Sequence, residues 1–173
     1  MKKKMLFCLA ILSFAFMSVF GQTRFSGSME LVKKAGSMNV KLDYSEAMIH
    51  GMTEEEYSIY EVDWNKDKPQ VLQYLMSALQ KQTVGYLFIS PFKKAPFTMY
   101  VRVLSVDLKG NTYSEVTIVD EKNQEVASIH KMYADGGRFG TGLNLIKDGA
   151  EHTGYAIGRI LKKELKKNNK NNK

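Results

Sequence analysis

Polar and apolar residues alternate through Met38, Val40, Leu42 and Tyr44, the two-residue period of a strand with one buried face. The run before it, residues 28–34, is separated from it only by Ala35-Gly36-Ser37, so the pair predicts an antiparallel hairpin over 28–34 and 38–44. The period then changes. Thr53-Glu54-Glu55-Glu56 has the spacing of a capping box, with a hydroxyl first and a carboxylate three residues on. Tyr57, Tyr60 and Trp64 follow at helical spacing, which makes them candidates for a buried helix face. Lys68-Pro69 predicts a break, since Pro suits the start of a helix, and Val71, Leu72, Leu75, Met76 and Leu79 form a second helical stripe. Two helices, or one bent helix, are expected over 53–82.

A strand-rich block comes next. Tyr86 to Ile89 is a continuous apolar run closed by Ser90-Pro91. Residues 97–108 alternate through Phe97, Met99, Val101 and Val103, turn at Lys109-Gly110-Asn111, and return through Tyr113, Val116, Ile118 and Val119. Residues 124–134 supply another strand, so an antiparallel meander is predicted. A last helix should run from about 143 or 149 to 167. Its Ala150, Gly154 and Gly158 recur every fourth residue, and Gly costs about 1 kcal/mol in a helix relative to Ala, which implies close backbone approach to a neighbour. Strands grouped between helices point to a single α+β domain, a largely antiparallel sheet covered on one face by helices at about 53–82 and 143–167.

The first residues change the picture. Lys2, Lys3 and Lys4 precede an apolar stretch over 5–20, and Gly21 then leads into polar Gln22 and Thr23. This is the order of a secretory signal peptide, and the stretch is short of the ~20 residues that span a bilayer. The predicted organisation is a leader at 1–21, a domain at 22–161 and a Lys/Asn-rich tail at 162–173. Cys8, the only cysteine, lies in the leader without the Leu-small-small context of a lipid-modified bacterial cysteine. The processed chain would hold no thiol, which excludes disulfides, Cys metal sites and thiol nucleophiles.

The formal charge of +7 is unevenly placed. Three Lys sit in the leader and six Lys against one Glu in the last twelve residues, which leaves residues 5–161 at −1. A nearly neutral body argues against specific nucleic-acid binding, which needs cations spread over a docking face. The Lys-rich tail could touch an anionic surface, including peripheral contact with a membrane, or could simply complement the helix dipole as a solvated end.

Candidate chemistry centres on Asp-Gly-Gly-Arg-Phe-Gly-Thr-Gly at 135–142, which joins a strand to a helix. Backbone N–H groups at Gly136, Gly137, Gly140 and Gly142, with the Arg138 cation, could cradle an anion or small ligand. The spacing matches neither a P-loop nor a dinucleotide fingerprint. The plainer expectation is a tight reversal with several glycines at positive φ and Phe139 plugged into the core.

His50, His130 and His152 show no metal-binding spacing, and Gly-x-Ser-x-Gly is absent. A Ser-His-Asp site could be drawn from Ser45 or Ser128, His130 and Asp43, and acidic pairs from Asp43 with Glu46 or Asp63 with Asp67. Each has a structural alternative as ordinary loop or strand polarity. The residues therefore predict neither catalytic groups, nor a metal, nor a cofactor.

The run Ala134-Asp-Gly-Gly-Arg-Phe-Gly-Thr-Gly-Leu-Asn-Leu-Ile-Lys-Asp-Gly with Gly154 resembles a C-terminal pattern in small exported proteins of Bacteroidetes-type bacteria. Leu42-Asp-Tyr-Ser-Glu-Ala, Ile49-His-Gly and Asp63-Trp64 are similar to their N-terminal pattern. The resemblance implies a periplasmic or surface-associated α/β domain and carries no catalytic residues. The expectation is a non-catalytic exported envelope protein that binds a partner in the periplasm or at the outer membrane. A ligand or anion binder using residues 135–142, and a hydrolase of unfamiliar type, are the alternatives.

Overall fold

The computed structural model describes residues 22–90 and 94–167. The predicted leader at 1–21 and the end of the tail at 168–173 lie outside the described residues, as do 91–93. The architecture is α+β, a mixed and mostly antiparallel sheet with helices packed on one face.

The predicted meander is present as β6 (Phe97–Val106), β7 (Thr112–Asp120) and β8 (Glu125–Ala134). Phe97, Met99, Val101 and Val103 are buried in turn along β6, and Val116 and Ile118 face the same core from β7. In β8 the buried positions switch phase, from Ala127 and Ile129 to Met132 and Ala134. Lys131 stands at the switch with φ 54°, and the added residue returns the strand's apolar side to the core. β1 (Arg24–Gly27) completes this edge by antiparallel pairing with β8.

The hairpin predicted over 28–34 and 38–44 is not formed. Residues Glu30–Ala35 are a short helix, α1, and only the second half is a strand, β2 (Ser37–Asp43). Met29 and Val32 are both buried and lie one helical turn apart, a spacing that a strand would point to opposite faces. Gly36, at φ 69°, ends the helix by donating to the carbonyls of Val32 and Lys33. Freed from a hairpin, β2 inserts parallel to both β6 and β5 (Phe88–Ser90). The sheet order is β1-β8-β7-β6-β2-β5, and a small hairpin of β3 (Met48–Ile49) and β4 (Met52–Thr53) extends β6 beyond β2.

The capping box forms as predicted. Glu56 N donates to Thr53 Oγ1 (3.2 Å) and Thr53 N to Glu56 Oε2 (2.8 Å), opening α2 (Glu54–Tyr60). The break falls at Glu61–Asp63 and not at Lys68-Pro69, because Glu61 is extended (φ −105°, ψ 91°) and α3 (Trp64–Thr83) starts directly after it. Pro69 lies inside α3 near its exposed start, where the missing N–H leaves one solvent-side carbonyl to water. The aromatic stripe divides: Tyr57 and Trp64 are buried with Tyr44, edge-to-face at 5.2 Å and 5.3 Å from the Trp64 ring, whereas Tyr60 is exposed.

The last helix, α4 (Gly142–Lys167), runs beside α3 in the same direction. Lys147 pairs with Asp67 at one end (2.9 Å), and Gly154 and Gly158 meet Leu75 and Gln82 further along. A Cβ on Gly154 would stand 2.2 Å from the Leu75 carbonyl oxygen, so the small residues do serve close approach to another helix. Among the described residues no helix is long and apolar enough to cross a membrane.

Candidate functional site

The glycine-rich segment links the end of β8 to the start of α4, and most of its glycines are there for packing. The β6–β7 turn is drawn tight by Asp107, whose carboxylate accepts from Lys109 N (2.8 Å), Asn111 N (3.0 Å) and Asn111 Nδ2 (2.8 Å). Burial pulls the Asp107 pKa upward, but these hydrogen bonds win and hold it below the usual carboxylate value. Asn111 Oδ1 then accepts from Gly136 N (2.7 Å), tying the turn to the loop. Side chains cannot fit between these segments. A Cβ on Gly136 would lie 1.9 Å from the Lys109 carbonyl oxygen, and one on Gly149 would lie 2.0 Å from that of Gly110.

The expectation of several positive-φ glycines is met within the loop only by Gly140, at φ 127°. Phe139 does not plug into the core; it is 89% exposed. Thr141 Oγ1 accepts from Asn144 N (3.4 Å) at the start of α4, so the helix supplies its own cap there. Gly142 faces inward, where a Cβ would stand 3.2 Å from His50 Cε1.

Gly136, Gly137 and Arg138 line a polar cleft of about 760 Å³, together with Lys109, Asn111, Tyr133, Asp135, Asp148 and His152. Gly140 and Gly142, grouped with them from sequence, do not line it. Gly137 is needed so that Asp148 can sit against the loop, since a Cβ would be 2.3 Å from Asp148 Oδ2. A second hollow of about 270 Å³ shares Tyr133, Asp135 and His152 and adds Tyr155 and Arg159.

Inside the cleft, His152 Nδ1 lies 2.7 Å from the Asp135 carbonyl oxygen. A carbonyl only accepts, so Nδ1 carries the hydrogen of this bond. Tyr133 donates its hydroxyl to Asp135 Oδ1 (3.0 Å), a bond that raises the Tyr133 pKa. Among the described residues none of Lys109, Arg138 and Asp148 enters an ion pair, so both signs of charge remain open to a ligand.

The other candidates are taken up by structure. Ser128 Oγ is 3.2 Å from His130 Nε2, but Asp43 is elsewhere, accepting from Ser45 N (2.9 Å), a bond that lowers the Asp43 pKa. Glu115, 3.8 Å from His130 Nδ1, stands where Asp43 was drawn and is already held by Arg102 (2.6 Å). Ser128 is 1% exposed and bonded to Ser26 Oγ (2.8 Å), out of reach of a substrate. Of the acidic pairs, Glu46 binds Arg102 (3.3 Å) and Asp67 binds Lys147, which separates each pair's roles. No three His, Cys, Asp or Glu side chains among the described residues gather as a metal site.

Lys109, Asn111, Tyr133 and Asp148 escaped the sequence reading of this site. Only the turn at Lys109-Gly110-Asn111 was visible, and nothing local indicates that it meets residues 135–148 in space.

No family model matches the chain, and no curated protein matches it. Among solved structures, it is similar to a PelC dodecamer from Paraburkholderia phytofirmans, at 14% identity over 82% of this chain and 98% of that one, with TM-score 0.44. A crystal structure of an uncharacterized protein matches at 12% identity over 72% and 89% of the two chains, with TM-score 0.42. A protein from Xanthomonas campestris matches at 6% identity over 79% and 87%, with TM-score 0.35. At these values the likenesses carry no function to this chain.

Proposed function

We propose that the chain is an exported envelope protein that acts by non-catalytic binding, with the cleft at residues 135–148 as its contact site. The single observation behind the site is the convergence of Arg138, Lys109 and Asp148, free of ion pairs among the described residues, on one polar cavity. Charged groups left open in a concave site retain their free energy for a ligand, whereas the Ser128–His130–Glu115 row already spends its hydrogen bonds internally. Export rests on the leader-like order of residues 1–21.

The cleft is tested by thermal shift of the processed chain against phosphates, nucleotides and acidic sugars. A stabilising ligand should lose its effect in Arg138→Ala and in Lys109→Ala, and unchanged responses in both variants would overturn the site. Export is tested separately by intact-mass analysis of the native product, which should begin at Gln22. A cytosolic product that still carries Met1 would defeat that part.

A further inference from the structure

At the end of the molecule opposite the cleft, α1 packs beside the C-terminal turns of α4. Lys33 Nζ donates to the Leu165 carbonyl oxygen (3.2 Å), and Leu165 itself is fully buried. The sequence sets residues 162–173 apart as a Lys/Asn-rich tail; the fold joins the last turns of α4 to α1 through this hydrogen bond. Six cations, Lys33, Lys34, Lys162, Lys163, Lys166 and Lys167, meet only Glu30 and Glu164 in these two segments. Each acid is answered by one cation, Lys34 at 2.9 Å and Lys167 at 2.7 Å. Lys33, Lys166 and Lys167 have a structural explanation at the negative end of the helix dipole. Lys162 and Lys163, a turn earlier, do not; Lys34 shares the last turn of α1 with Lys33 and is held by Glu30. With these segments and the following residues set aside, the rest of residues 22–173 carries net negative charge, so the molecule is electrically polarised.

We infer that this α1–α4 surface is a docking platform for an anionic lipid bilayer. Two features favour a bilayer over a soluble polyanion. The cations come from two helices that the Lys33–Leu165 hydrogen bond brings together, and Leu31, one turn from Lys34 on α1, adds an apolar side chain that is 59% exposed. The inference does not depend on the cleft, which lies at the other end of α4.

The test is sedimentation of the processed chain with phosphatidylglycerol-containing vesicles, using phosphatidylcholine vesicles as control. Binding is expected only to the anionic vesicles and should weaken at high salt. The triple variant Lys34→Glu, Lys163→Glu, Lys166→Glu should partition about 100-fold less or weaker still, while the Arg variants at the same positions retain binding. A chain ending at Lys167 should still sediment. The platform is overturned if the intact chain ignores anionic vesicles or if the reversed variant, shown folded by circular dichroism, binds unchanged. It is equally overturned if removing 168–173 alone abolishes binding, or if polyphosphate of matched charge binds as tightly as vesicles.

Discussion

His50 sits in the two-residue turn between β3 and β4 with φ 53°, a left-handed conformation that non-glycine residues adopt at a cost. Its ring packs edge-on to Tyr57 at 5.2 Å and touches the start of α4 at Gly142, and its Nε2 is buried with no hydrogen-bond partner. Burial lowers the His50 pKa, opposed by the carboxylate and backbone of Asp107. Tyr57, the other titratable group against the ring, is pushed up to about 12 by burial and by Glu61 and Tyr60, so it stays neutral. A histidine whose folded pKa is depressed is protonated more readily in the unfolded chain. Its neutral form therefore supports the fold above the ordinary imidazole range, and that support is lost as pH falls through it. Thermal melts from pH 7 to pH 5 should show Tm falling, and His50→Asn, which suits the left-handed turn, should fall less steeply. Equal slopes would remove His50 from the account.

At the scale of elements, the α3–α4 contact tests how much a missing side chain matters. Ala at Gly154 would gain about 1 kcal/mol of helix propensity, but its Cβ meets the Leu75 backbone oxygen at 2.2 Å and the Ala78 methyl at 3.0 Å. Overpacking against immovable backbone costs about 1–3 kcal/mol, so the clash outweighs the propensity gain. Gly154→Ala should lower unfolding free energy by up to about 2 kcal/mol in urea titrations, and a stabilised variant would show that the helices can separate freely. The meander and the capping box were legible because local period and short turns specify them. Residues 28–34 misled because a single helical turn holds only Met29 and Val32 as its signal, too little to tell a short helix from a strand.

For the whole molecule, packing reaches into the basic segment. Leu161 and Leu165 are both buried, so the basic segment from 162 to 167 is part of the core-bearing helix. A chain cut after Leu161 loses the Leu165 side chain and the acceptor of Lys33, and should lose about 2–4 kcal/mol of stability in denaturant titrations. A chain cut after Lys167 should keep its unfolding midpoint; matching midpoints in the two truncations would show that Leu165 contributes nothing.

The order of period-two and helical segments, the capping box, and the small-residue seam of the last helix follow from sequence because each is set by neighbours a few residues away. The parallel insertion of β2 between β5 and β6, the joining of Lys109 and Asn111 to Gly136, and the pairing of α1 with the end of α4 were decided only in three dimensions. Each joins segments far apart in the chain, and such contacts form through shape and burial that no local pattern encodes.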